Sequence, residues 1–393
     1  MRSQFEYGTL TDSKDAQQLG AILEQCFSSP PGSSETYFKR VGLENFRALR
    51  ASGQLAGGLA TLPMGQWFGN QRVPMVGIAA VGIAPEYRGS GAAIALMQHT
   101  LQDLHVNGAA LSALYPAAQQ LYRKAGYEQG GSFCTWEIPA KAIQVKERSL
   151  LPIQPIHSPT AEVFQALSQQ QSQTNNGNLD RHPAIWEEIL KPDAPEAVYA
   201  YLFGETAQPE GYIIFSQKQI NNSAALVVLD WAVLTPSAGY SFWKFLSNHR
   251  SQIEKVRWRS SIIDPLTLLL PEQSAKLHES DRWLLRIVSI TSALEKRGYP
   301  PTAEAELHLD VQDELLPDNS GKFILSVANG QGTVTRGGKG ELRLDIRSLA
   351  PLYTGLFSPH ELQFLGQLEA TEGAIATATQ LFTGSHPWLR DFF

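Results

Sequence analysis

The fourteen residues from Val81 to Ile94, Val-Gly-Ile-Ala-Pro-Glu-Tyr-Arg-Gly-Ser-Gly-Ala-Ala-Ile, constrain this chain more than any other stretch. An apolar run gives way to a proline-bearing turn and then to a glycine-rich loop. Beyond the loop, Ile94, Leu96, Met97, Leu101 and Leu104 recur at helical spacing. The pattern predicts a buried strand feeding directly into an amphipathic helix. Gly89 and Gly91 let the backbone approach an anion with no side chain in the way. The unpaired N–H groups and the positive end of the helix dipole attract phosphate oxygens, and Arg88 adds a charge-assisted donor. A plain strand–turn–helix corner, with glycines kept for tight geometry alone, reads the same way. The loop is not a P-loop, because no Gly-Lys-Ser/Thr follows. It is not the dinucleotide fingerprint, because its third glycine is misplaced and no ribose-binding acid follows.

The same alternation of patterns extends on both sides. Residues 12–27 read as a helix capped by Asp12 or Ser13, and 28–34 as a loop. Strands are expected at 45–51, 54–63 and 75–83, a helix at 91–106, a strand at 109–114, a short helix at 117–124 and a closing strand at 130–138. This is a mixed α/β sheet domain. Residues 141–171 are polar and carry Pro152, Pro155 and Pro159, which suggests a connector. A second α/β segment follows, with strands at 198–204, 211–217 and 224–234, a helix at 240–248 and a strand at 255–263. Its order echoes the first and suggests a diverged duplication. From about Ile287 a third segment combines a helix at 289–297, short strands at 303–310, 321–328, 332–336 and 341–346, and helices at 358–365 and 372–381. The expected domains are therefore 1–150, 151–286 and 287–393.

Composition excludes several classes. With 43% hydrophobic and 18% charged residues, the chain can build real cores. A net charge of -6 with no basic run argues against nucleic acid and weakly favours a cationic substrate. Cys26 and Cys134 form neither a disulfide framework nor a cysteine zinc site, and the nine histidines lack metal-like spacing. No metal is expected. With no apolar signal core near Met1 and no membrane-length apolar run, a soluble protein of the reducing cytoplasm is expected.

The run from Ile83 to Ala93 resembles motif A of the GCN5-related N-acetyltransferases, Arg/Gln-x-x-Gly-x-Gly/Ala, with Arg88, Gly91 and Ala93 in the three defined places. Leu121-Tyr122-Arg123-Lys124-Ala125-Gly126-Tyr127 resembles motif B of the same superfamily. The whole chain resembles the enhanced intracellular survival (Eis) family, in which two acetyltransferase-like modules precede a sterol-carrier-like domain and the chain ends in an aromatic residue. Phe393 and the run Leu114-Tyr115-Pro116-Ala117-Ala118 fit that plan.

The resemblance implies a division of roles. Val81, Gly82 and Ile83 would form the strand end along which the pantetheine arm of acetyl-CoA pairs. Arg88, Gly89, Ser90, Gly91, Ala92, Ala93 and Ile94 would hold its pyrophosphate, and Ala117 and Ala118 would line it near the thioester. Tyr122 would be the general acid and the α-carboxylate of Phe393 the general base. Acceptors would be aminoglycoside-type amines, at one or several positions, or protein lysine, and the assembly a homo-oligomer such as a hexamer. Tyr115 and Tyr127 compete with Tyr122 for the acid role. Phe27, Trp67 and Asp391 are candidates for the acceptor pocket. Residues 233–240 lack the arginine and paired glycines, so a second cofactor site is not expected. A different class also remains open, in which the third segment binds an apolar ligand and the acetyltransferase modules are a scaffold.

Overall fold

The computed structural model describes residues 5–145, 150–192 and 196–393. The chain divides into two compact units. One gathers Met1–Gly130, Trp283–Gly384 and Phe393, and the other Gly131–Arg282 and Ser385–Phe392. Among the described residues no helix is long and apolar enough to cross a membrane.

In the first unit, β1 (Glu6–Thr9), α1 (Ser13–Phe27), α2 (Ser33–Val41), β2 (Phe46–Ala51), β3 (Gln54–Phe68), β4 (Gln71–Ile83), α3 (Ala92–Val106), β5 (Leu111–Leu114) and α4 (Gln119–Lys124) follow in order. Strands β1 to β4 form an antiparallel meander, and β5 adds parallel to β4 through Met75–Gly77 and Leu111–Ala113. The other edge of β5 pairs antiparallel with Leu284 to Ile287, the end of the strand Lys276–Ile287.

Helix α1 starts where the Asp12 side chain accepts the Asp15 amide, and stops at Ser28, in the left-handed region. It crosses the sheet where two paired glycines leave room. A Cβ on Gly58 would come within 2.8 Å of Leu19, and one on Gly82 within 2.7 Å of Leu23. The neighbouring Leu59 and Ile83 point to the opposite face, into the core built on Leu96, Met97, Leu101 and Tyr122. The loop expected through Ser34 is shorter than its polar sequence suggests, because α2 begins at Ser33. Residues 283–384 form a five-stranded sheet of Gln331–Arg336, Gly321–Ala328, Ala305–Gln312, Leu342–Asp345 and Glu369–Ala370, in that order, with helices around it.

The second unit repeats the first module's plan. Val198–Glu205, Gln208–Ile220 and Ser223–Val233 form a meander, Pro236–Asn248 a helix, and Lys255–Ser260 a strand parallel to the third. The third strand carries a bulge at Leu229, as the register slips between Ile214↔Asp230 and Phe215↔Val228. The expected connector at 141–171 is more structured than its composition suggests; its part at 146–149 lies outside the described residues. It contains the strand Ile153–Ile156, and the helix Ala161–Gln173 begins within it. That helix buries only Phe164 and Leu167 as apolar residues, and its inward Gln171 bonds the carbonyl of Trp231 at 3.1 Å and the amide of Val233 at 2.7 Å. A glutamine-rich helix packs here because its polar groups find backbone partners.

A buried ion network pins the tail within this unit. Arg181 donates to both oxygens of Asp230 at 2.6 and 2.8 Å and to Asp391 at 3.0 Å. Arg390 lies 3.3 Å from Asp230, and the Tyr212 hydroxyl donates to Asp230 at 2.6 Å. Burial alone would raise the Asp230 pKa, but Arg181 and Arg390 hold it down at about 2. Asp230→Ala leaves two buried guanidinium groups short of a partner and should destabilise the protein by about 3–5 kcal/mol in denaturant unfolding. A depressed carboxylate stabilises above its unfolded pKa. The wild type should therefore keep this contribution above about pH 4 and lose it progressively towards pH 2, while Asp230→Ala shows no such dependence.

Candidate active site

Strand β4 is the spine of the site. Its ladder to β5 ends at Gly77↔Ala113, while β4 itself runs on to Ile83. On the β3 side the register slips between Gly58↔Gly82 and Ala60↔Ala79, so Ala80 and Val81 oppose Leu59 alone. Ala80 sits at φ +50°, a left-handed conformation that costs an alanine about 1–2 kcal/mol. A bulge with backbone strain at the point where two strands part re-aims the strand end and leaves one edge open for pairing. Val81 is half-buried, and Gly82 and Ile83 are buried.

Beyond Ile83 the chain turns through Pro85–Tyr87 into the loop. Gly89 and Gly91 have φ of +77° and +90°, and a Cβ on either would meet nothing within 4 Å. These glycines are therefore required by backbone conformation, and the space before them is open. Gly91 caps α3 with no side-chain hydrogen bond, and the first intrahelical bond runs from the Ala95 amide to Gly91 O at 3.0 Å. The amides of Ala92, Ala93 and Ile94 thus precede the first intrahelical donor and have no acceptor within the helix. Ser90 donates its hydroxyl to the Tyr87 carbonyl at 2.6 Å. The exposed Arg88 donates from Nε to Ile83 O at 3.2 Å and from Nη2 to the Cys26 Sγ at 3.4 Å. An uncapped 15-residue helix, a glycine loop and a guanidinium share one rim, an arrangement that fits a diphosphate.

The second module's helix starts differently. Thr235 caps it by accepting the Ala238 amide, Pro236 removes an N–H, and the Glu210 carboxylate accepts from the Thr235 hydroxyl. Fewer donors and an adjacent negative charge make that start a poor anion site.

On β5's side of the fork, Ala117 and Ala118 are exposed, and Ala118 is the cap of α4. Tyr122 lies within α4 and is only 4% exposed. Burial raises its pKa above the usual 10.0, so the phenol holds its proton at neutral pH. Tyr127 is fully buried, its hydroxyl shares a 2.7 Å hydrogen bond with Ser112, and burial raises its pKa also; it is a core residue.

The ring of Phe393 reaches the same fork. It packs edge-on to Tyr115 with centroids 5.6 Å apart. A Cβ on Gly77 would strike Met64 Cε at 2.6 Å and the Phe393 ring at 2.7 Å. Phe393 therefore lies on the last paired rung of β4, just below the point where the strands part. Sequence reasoning missed Gly77 and Ala80. A glycine inside an apolar strand was the available signal for Gly77, since it marks close approach; nothing in the sequence marks Ala80. Of the candidate acceptor-pocket residues, Phe27 is 51% exposed, Trp67 is buried, and Asp391 pairs with Arg181.

Comparisons with known proteins fit this geometry. Residues 7–130 and 177–287 each match an acetyltransferase (GNAT) domain family, and residues 290–390 match a sterol carrier protein domain. The crystal structure of a GCN5-related N-acetyltransferase from Anabaena variabilis superposes with a TM-score of 0.96 at 58% identity, covering 99% of this chain and 100% of that one. The N-acetyltransferase Eis of Mycobacterium tuberculosis is 23% identical over 321 residues, 77% of this chain and 76% of that protein. An uncharacterized N-acetyltransferase of Streptomyces griseus is 34% identical over 188 residues, a match that spans 45% of this chain and only 42% of the relative's length.

The close approach at Gly77 is open to test. Gly77→Ala should push the Phe393 ring off β4, so that carboxypeptidase releases Phe393 several times faster than from the wild type, with the melting temperature within a few degrees. Equal release rates from the two proteins would contradict the packing role.

Proposed function

Because the chain belongs to the Eis family of GCN5-related N-acetyltransferases, whose members acetylate amine-bearing acceptors with acetyl-CoA as co-substrate, we propose that it transfers acetyl groups to primary amines of a cationic small molecule of aminoglycoside type. One observation carries the reading: the forked, bulged end of β4 opens onto an uncapped helix start rimmed by Arg88. Residues 1–150 are the catalytic module, 151–286 a second module without a cofactor site, and 287–393 the sterol-carrier-like segment that supplies Phe393. The net charge of -6 favours a cationic acceptor.

The chemistry needs few groups. Val81, Gly82 and Ile83 line the open edge, where an amide-bearing pantetheine arm pairs like an added strand. Arg88 and the amides from Gly89 to Ile94 hold the diphosphate, and Ala117 and Ala118 flank the thioester without filling its space. An amine attacks a thioester only as the free base. The α-carboxylate of Phe393 draws in the ammonium and takes its proton. The tetrahedral intermediate then collapses, the C–S bond breaks, Tyr122 protonates the leaving thiolate, and the extra N–H proton shed by the new amide restores the phenol. Burial suits Tyr122 to this task, because a raised pKa keeps the phenol in its donating form.

The first test is thiol release from acetyl-CoA with aminoglycosides, polyamines and lysine peptides as acceptors. Turnover with aminoglycosides, with more than one equivalent of thiol per acceptor, is expected; no release with any amine would overturn the reading. Arg88→Glu should abolish acetyl-CoA binding in calorimetry, and unchanged affinity would contradict the loop's role. Tyr122→Phe should lower kcat about a hundredfold with acetyl-CoA affinity intact. With Tyr122 present, its ionisation should impose no loss of kcat below about pH 10.

A further inference from the structure

We infer that the buried ion pair between Arg286 and Asp313 is a positioning device for Tyr122, through which a residue of the sterol-carrier-like segment sets the geometry of acetyl transfer. The inference rests on the role proposed above for Tyr122. Arg286 lies on the strand Lys276–Ile287, opposite Ser112 of β5, and is wholly buried. Its Nη2 donates to the two Asp313 oxygens at 2.8 and 2.7 Å, and its Nη1 donates to Ile287 O at 3.0 Å. Asp313 follows the strand Ala305–Gln312. Its carboxylate also accepts the amides of Leu315 and Leu316 at 3.1 and 3.2 Å and the Asn319 side chain at 2.9 Å. The carboxylate is thus held from several sides, and it in turn fixes the plane of the guanidinium.

What that plane presses against is the turn that ends α4. Gly126 has φ +87°, and a Cβ there would meet Arg286 Nε at 2.8 Å and Cζ at 2.9 Å. Within this turn the amides of Ala125 and Tyr127 both bond the carbonyl of Tyr122, at 2.9 and 3.1 Å. The Tyr127 ring lies edge-on to Tyr122 with centroids 6.2 Å apart, and its hydroxyl is held by Ser112, the strand partner of Arg286. Two routes therefore join Arg286 to Tyr122, one through the backbone of the turn and one through the Tyr127 ring. Arg286 Nε, buried and without an acceptor, faces that backbone and leaves no slack between guanidinium and glycine. A buried ion pair is poor evidence of stabilisation by itself; its contact with the turn is what gives this one a task.

A double-mutant cycle with Tyr122 separates positioning from plain structural support. Arg286→Met/Asp313→Asn removes both charges together and keeps an acceptor for the Leu315 and Leu316 amides. Gly126→Ala is the second probe: it leaves the pair in place and crowds the guanidinium. Each should lower kcat about tenfold, short of the hundredfold that a 1 Å misplacement can cost, with the calorimetric Kd for acetyl-CoA unchanged. In a Tyr122→Phe background each should change kcat less than twofold. An unchanged kcat in either folded variant, or the same tenfold loss with Phe at position 122, would overturn the inference while leaving Tyr122 as the acid. Full activity of Tyr122→Phe itself would remove the acid role and this inference with it.

Discussion

Everything at this site follows from the parting of two parallel strands. Strands β4 and β5 share only three rungs, Met75 to Gly77 against Leu111 to Ala113. Parallel strands buried in a sheet normally satisfy their backbone groups along their whole length, and an unpaired edge in the interior is costly. The bulge at Ala80 turns the end of β4 away, and its positive φ is the local expense of doing so. The opened edge leads into α3, whose first amides are left without a cap. A ligand with amides in its middle and phosphates at one end matches both features at once.

The fork also gathers residues from distant parts of the sequence. Tyr122 of α4 packs in the core with Ile78, Ile83 and Leu114, Tyr115 follows β5, and the Phe393 ring from the end of the chain packs on Tyr115 and Gly77. Residues 385–392 belong with the second module, where Arg390 and Asp391 are locked into the network of Arg181 and Asp230, whereas Phe393 packs on β4. The sterol-carrier-like segment lies in one compact unit with the first module, and its Asp313 holds Arg286 against Gly126 of that module.

Much of this was legible in the sequence. The strand–loop–helix at 81–106 stands out because glycine and helical periodicity are local signals, and the duplicated meander stands out because its order repeats. Four of the third segment's five strands were readable from their turns; the two-residue strand Glu369–Ala370 was not. The polar helix Ala161–Gln173 was not, since its burial depends on the backbone groups of Trp231 and Val233, about sixty residues on. The bulge at Ala80 arises from strand register, which no single residue type encodes. The roles of Arg286 and Asp313 were invisible too: an arginine at the end of an apolar strand carries no mark of burial until its partner, 27 positions away, is placed beside it.

The central claim is that the amides at the start of α3 grip a diphosphate. Hydrogen–deuterium exchange of the amides from Gly89 to Ile94, with and without coenzyme A, tests it most directly. The account predicts exchange slowed at least tenfold across those residues and along the open edge of β4 when the coenzyme is present. Unchanged exchange there, with protection appearing elsewhere in the chain, would contradict it.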